Sequence, residues 1–81
     1  MIISSGYNIY PQYIEKIIMG HPAVETCTVI GTPHPYRQQV PKAYIVLREN
    51  FDNTENLRYD IEEYCKKSIS KYSLPTEYVY V

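Results

Sequence analysis

From residue 54 to residue 72 the apolar side chains Leu57, Ile61, Tyr64, Cys65, Ile69 and Tyr72 recur at steps of three and four. That period gathers them onto one face of an α-helix, and such a face has to be buried against another element. Glu62 with Lys66 and Glu63 with Lys67 stand four apart on the rest of the surface. These are ordinary decoration of a solvated helix, worth about 0.2–0.5 kcal/mol per pair. Asp52 or Thr54 supplies the N-cap, Glu55 sits where the helix dipole favours a carboxylate, and Leu74-Pro75 closes the element.

A second, shorter helix is expected over residues 11–19, where Ile14, Ile17 and Ile18 form the stripe and Pro11 has the fixed φ that suits a first turn. Gly20 stands in the place of a C-terminal cap, and His21-Pro22 stops the helix. The β-branched run ending at Gly31 makes residues 24–31 a strand, and residues 42–48 alternate Ala43, Ile45 and Leu47 against Tyr44 and Val46 as another. Between them, residues 32–41 hold Pro33, Pro35 and Pro41. Each proline removes a backbone donor and biases its predecessor toward extended geometry. The stretch is therefore expected to be a shaped surface loop presenting Tyr36 and Arg37, neither helix nor central strand. Residues 77–81 alternate as a last strand, and a short apolar strand opens the chain before a polar turn at Ser4-Ser5-Gly6. The order is βαββαβ. Two helices on one face of a three- or four-stranded, largely antiparallel sheet bury both stripes at once, which makes an α+β two-layer sandwich. The residues expected to be buried are Ile14, Ile17, Ile18, Leu57, Ile61, Cys65 and Ile69.

With 81 residues the chain is one domain with a single thin core. A net charge of -1 and the lack of any basic run argue against a nucleic-acid or anionic-membrane surface. No apolar run is long enough to span a bilayer and no signal-peptide pattern opens the chain, so a cytoplasmic setting is expected. Cys27 and Cys65 are far apart and lack metal-ligand spacing, so they read as buried free thiols. The ten tyrosines, with no tryptophan, suit half-buried positions where the hydroxyl stays wet. A base-stacking platform fits poorly, because the strand around Tyr44 lacks the Gly-aromatic pattern of RNA-recognition sheets. His21 and His34 stand apart from each other and from carboxylates in sequence, and each reads as structural. There is no activated nucleophile, carboxylate pair or metal-ligand cluster, so the chain alone carries no catalytic residue and no metal site.

The opening stretch, Met1-Ile2-Ile3-Ser4-Ser5-Gly6-Tyr7-Asn8-Ile9-Tyr10-Pro11, reads as strand, glycine turn and helix start. Gly6 permits positive φ and a close backbone approach, so this turn is the place for a ligand. The string through Ile14-Glu15 resembles the start of the small C-terminal domain of adenylate-forming enzymes: acyl-CoA synthetases, peptide-synthetase adenylation domains and luciferases. The likeness continues through His21-Pro22-Ala23-Val24, Val29-Ile30-Gly31-Thr32-Pro33, Val40-Pro41-Lys42-Ala43-Tyr44-Ile45-Val46-Leu47 and Tyr72-Ser73-Leu74-Pro75.

The resemblance implies a mobile lid that completes ATP-dependent acyl-adenylate formation in one pose and thioester formation with coenzyme A in another. It implies as partners an N-terminal AMP-binding domain, a carboxylic acid, ATP and coenzyme A, with Mg2+ held by that other domain. Ser5, Gly6 and Tyr7, with Asn8 just behind, match the loop that lines the pantetheine channel. Arg37, with Tyr36, and the positions of Tyr72, Ser73 and Leu74 match segments near the CoA nucleotide. The family often has Asp, then Gly-Glu, where this chain has His34 and Gln38-Gln39. The hinge before residue 1 and the Gly-Lys motif after residue 81 lie outside the sequence, so residues 1–81 read as an excised domain, catalytically silent alone. Two alternatives stand beside the acyl-CoA ligase lid. One is the matching part of an adenylation domain that loads a carrier protein. The other is a stand-alone protein-interaction module of the same fold.

Overall fold

Val24–His34 and Gln38–Leu47 pair as one long antiparallel hairpin, with Cys27 opposite Ile45 and Val29 opposite Ala43 on the same face. In a computed structural model describing residues 1–81, these strands are β3 and β4. They follow β1 (Ile2–Ser4), β2 (Tyr7–Ile9) and α1 (Pro11–Ile18), and precede α2 (Glu55–Ser68), a 3-10 turn (Lys71–Ser73) and β5 (Glu77–Tyr80). The sheet runs β2-β1-β4-β3. β5 lies parallel to β4 along the edge that also meets β1, pairing Lys42 with Glu77 through Ile45 with Tyr80, while Ser4 meets Gln38.

Both helices cover one face, as an α+β two-layer sandwich requires. Ile14 and Ile18 of α1 and Ile61 and Cys65 of α2 share one buried cluster with Cys27, Val29, Ala43, Ile45 and Ile69. Each fully buried Ile contributes about 1.5–3 kcal/mol relative to exposure. Ile17 and Leu57 only flank this cluster half-buried, against the expectation of full burial. The Thr54 side chain accepts from the Leu57 N–H at 3.2 Å, so of the two expected N-cap candidates it is Thr54, not Asp52, that starts α2. On the outer strand, the Val29 N–H donates to Glu15 Oε2 of α1 at 2.7 Å, so the helix blunts an open sheet edge. No helix is long and apolar enough to cross a membrane.

Four further sequence expectations are corrected. The sheet has five strands, because residues 7–9 form β2 and the opening stretch is a hairpin, not a strand leading straight into a helix. Residues 32–41 are mostly strand, with Pro33 in β3 and Pro41 inside the central β4. The Pro41 carbonyl accepts from the Thr76 N–H at 3.0 Å on the β5 side. A strand residue turns its amide and carbonyl the same way, so the missing Pro41 donor faces away from β3. Pro33, opposite Gln39 in the same alternation, faces the free outer edge. No ladder bond is lost at either position.

The second helix stops at Ser68, because Ile69 (φ -112°, ψ 136°) and Ser70 (φ -62°, ψ 152°) are extended. Ile69 still reaches the core, whereas Tyr72 leaves the helical stripe and stacks on Tyr7. Gly20 is not a left-handed cap; a Cβ there would stand 2.7 Å from Tyr64 Oη and 3.1 Å from the Ile17 carbonyl. It is small so that Tyr64 Oη can donate to that carbonyl at 2.9 Å and tie α2 to α1. His21, buried beside it, has Nε2 2.7 Å from Asp60 Oδ2 and accepts from the Ala23 N–H at Nδ1, 3.1 Å away. It is a structural staple across 39 residues of chain, and its carboxylate partner was invisible in sequence.

Candidate functional site

The β1–β2 connection has only Ser5 (φ 51°) and Gly6 (φ 82°) between strands, both left-handed. That is the backbone of a tight two-residue hairpin whose twist matches its strands. Its tip is exposed, and a Cβ placed on Gly6 meets nothing within 4 Å. Glycine is therefore required here by φ, not by crowding inside the domain.

A second turn, between β3 and β4, meets this tip through Arg37. The His34 ring starts it: Nδ1 accepts from the Tyr36 and Arg37 N–H groups at 3.1 and 3.0 Å. Gln38 then has φ 74°, and the Gln39 N–H donates to the Arg37 carbonyl at 3.0 Å, which closes a three-residue γ-turn. The same carbonyl accepts from the Ser5 N–H at 2.9 Å. The Arg37 side chain doubles back, with Nε donating to the buried Ser4 Oγ at 2.7 Å and Nη2 to the Tyr72 carbonyl at 3.2 Å. Tyr7 stacks on Tyr72 with centroids 4.2 Å apart and planes 17° from parallel. The Tyr72 hydroxyl holds the Tyr7 phenol above its ordinary value, first through hydrogen bonding and then through charge.

Of the residues singled out in sequence, Ser5, Gly6, Tyr7, Arg37 and Tyr72 thus converge from three segments. The side chains of Asn8, Leu74 and Tyr36 do not join them. Asn8 pairs with Ile3 on the opposite face of the hairpin, because side chains alternate along β2. Leu74 packs against the hydrophobic cluster. Tyr36 is 89% exposed, its ring only edge-on to His34 at 6.0 Å. Ser4, His34, Gln38 and Gln39 belong to the site's framework although sequence reasoning gave them no such role. The signal was the departure from Asp and Gly-Glu at three of these positions. His34 Nδ1 supplies the acceptor that a turn carboxylate would, and Gln39 Oε1 accepts from the Ile3 N–H at 3.2 Å. Gln38 adopts the left-handed geometry natural to glycine.

The cluster offers open backbone, stacked aromatic surface and one guanidinium, which suits binding and not bond-breaking. No three His, Cys, Asp or Glu side chains come together to hold a metal ion. Cys27 is pushed up to about 12, by burial first and then by Glu15 and Cys65, and burial also raises Cys65. Neither thiol is poised as a nucleophile.

The AMP-binding enzyme C-terminal domain family matches residues 13–81. The chain is 39% identical over 83 residues to the mitochondrial acyl-coenzyme A synthetase ACSM4 of Rattus norvegicus, covering 100% of this chain and 14% of that protein. It is 34% identical over 77 residues to the acetyl-coenzyme A synthetase of Bacillus subtilis, covering 95% of this chain and 14% of the relative. Among solved structures, an acyl-CoA synthetase from Brucella canis superposes with a TM-score of 0.87 at 35% identity, over 99% of this chain and 15% of the other. The chain thus spans about one-seventh of the proteins it matches.

Proposed function

Because the chain belongs to the AMP-binding enzyme C-terminal domain family, we propose that it is the mobile C-terminal domain of an ATP-dependent, AMP-forming acyl-CoA ligase. Its Ser5–Gly6 tip lines the channel by which the pantetheine arm of coenzyme A reaches the acyl-adenylate. The observation that carries this reading is the tip itself, an exposed left-handed turn with open space around Gly6. Backbone without a side chain lets a narrow, mostly uncharged arm pass at contact distance, and the stacked Tyr7 and Tyr72 rings give it an apolar wall. Coenzyme A, when bound, supplies the attacking thiol. The residues of this domain guide its arm and exclude water. ATP, Mg2+ and the carboxylic acid belong in this reading to the larger N-terminal AMP-binding domain.

The test uses the full-length protein and separates two half-reactions: acyl-adenylate formation, followed by pyrophosphate exchange, and thioester formation. Gly6→Ala and Gly6→Leu share the strain of placing an L-residue at positive φ, about 1–2 kcal/mol. Only leucine fills the channel. Gly6→Leu is expected to lower thioester formation by about 10²–10³ while exchange stays within a few fold, beyond any loss in Gly6→Ala. Parallel losses in both half-reactions, tracking the melting temperatures of the two variants, overturn the reading.

A further inference from the structure

We infer that Gly31 is a positioning residue of the thioester-forming step: its missing side chain gives Ile2 the seat that sets where the Ser5–Gly6 tip stands. The inference rests on the function proposed above and adds a residue of β3, a strand that does not neighbour the hairpin in the sheet.

Gly31 stands opposite Pro41, and β4 lies between it and the β1–β2 hairpin. Cys27, Val29 and Gly31 follow one another on the core face of β3, where the first two contribute buried side chains. At Gly31 the space belongs to Ile2, which reaches across β4. A Cβ on Gly31 would stand 3.0 Å from Ile2 Cγ1, 3.4 Å from Ile2 Cγ2 and 3.4 Å from Gln39 Nε2. Carbon atoms rest at about 3.5–4.0 Å, so a methyl group there displaces Ile2 by roughly half an ångström or more. Ile2 cannot yield alone. It is 2% exposed, its ladder partner Ile9 is 1% exposed, and its β-branched side chain is stiff at χ1. The same methyl crowds the Gln39 amide, whose Oε1 accepts from the Ile3 N–H at 3.2 Å. Two anchors of β1, one in the core and one at the backbone, therefore depend on the same empty position. The hairpin is displaced as a unit, because Ile2 with Ile9, Ile3 with Asn8 and Ser4 with Tyr7 hold its strands in register up to the turn. That ladder passes a shift of the buried end to the tip, about 10 Å along the strand. Gly31 has no positive φ, so its backbone alone does not ask for glycine. A glycine inside a strand marks a close approach of this kind.

The experiment measures both half-reactions in the full-length protein for Gly31→Ala, Ile2→Ala and the double variant. Gly31→Ala is expected to lower thioester formation with coenzyme A about 10- to 10²-fold, the scale of a misplacement of up to about 1 Å. Pyrophosphate exchange should stay within about threefold, since the tip serves only the thioester step in the proposed reading. A glycine that merely sustains the fold would lower both alike. Ile2→Ala removes both carbons that the new methyl group meets. In that background Gly31→Ala should cost less than about threefold, a non-additivity that marks direct contact. Equal losses in both half-reactions, no loss at all, or additive losses in the double variant each overturn the inference. A Gly31→Ala protein that does not fold overturns it too, because the glycine is then a requirement of the core and not of the tip. An unsubstituted protein that lacks pyrophosphate exchange, or a Gly6→Leu variant that affects both half-reactions alike, removes the function proposed above. A split in Gly6→Leu with none in Gly31→Ala strikes only this inference.

Discussion

Every residue of the chain with positive φ, namely Ser5, Gly6 and Gln38, lies in the two turns that Arg37 joins. The α1–α2 layer contains none, and within the sheet only Gln38, the first residue of β4, has it. There the side chains are buried isoleucines, valines and thiols. At the tip, Ser5, Gly6 and Gln38 are exposed and the order comes from polar bonds to backbone. Strained backbone persists only where its surroundings over-determine it, and it gathers at functional sites. The comparison teaches that the core carries stability while the tip carries geometry, so damage to each should be read by a different measurement.

The largest stability effect belongs to the core. Ile61 is 0% exposed and stands where α2 meets α1 and the sheet. Ile61→Ala should cost about 2–5 kcal/mol, from lost transfer energy and the cavity left behind. Urea unfolding followed by circular dichroism measures it. A cost under about 1 kcal/mol would break the comparison, since the helical layer would then be no firmer than a surface.

The next effect is one of pH and again separates buried from open. Cys27, ordinarily titrating at 9.0, is pushed up to about 12 chiefly by burial. The folded chain therefore keeps a proton that the unfolded chain gives up once pH passes about 9. Stability from this group is intact below that pH and is lost as pH rises toward 12. Raised values for Cys65, Tyr78 and Tyr80, each led by burial, act in the same direction. For Cys27 the loss is about 1 kcal/mol by pH 10, from the linkage slope of one proton. Melting curves between pH 7 and 10.5 should fall on the alkaline side, and Cys27→Val should flatten part of the fall. A flat profile in the parent chain would show the thiol to be as solvated as the tip.

The two regions also differed in how far the sequence announced them. Helical stripes and β-branched runs were legible because periodicity is a local property, and the cap of the second helix was narrowed to Asp52 or Thr54, of which the structure uses Thr54. The strand Tyr7–Ile9 was not, since three residues carry no usable period and Pro11 drew the eye to a helix start. Pro33 and Pro41 misled for a different reason: composition shows that a donor is missing but not which edge it would have faced. Tyr72 fitted the phase of the helical stripe, and only the extended backbone at Ile69 and Ser70 sends it to Tyr7. Ser5, Gly6, Tyr7, Arg37 and Tyr72 could be named one by one from resemblance. Their junction depends on bonds between residues 33 and 35 positions apart, which no local pattern encodes.

The smallest effect bears most directly on where strain is kept. Gln38 is exposed and left-handed at φ 74°. An L-residue there costs about 1–2 kcal/mol relative to glycine, while glycine gives back roughly 0.5–1 kcal/mol through the freer unfolded chain. Gln38→Gly should thus leave stability unchanged or raise it by up to about 1.5 kcal/mol, the difference of those two terms. Gln12→Gly, the same chemical change at an exposed position of the regular helix α1, should instead lose about 0.5–1 kcal/mol. Opposite signs for one substitution at two exposed glutamines would locate stored strain in the turn that holds Arg37. If both variants lose equally, Gln38 is unstrained and the contrast between tip and core reduces to burial alone.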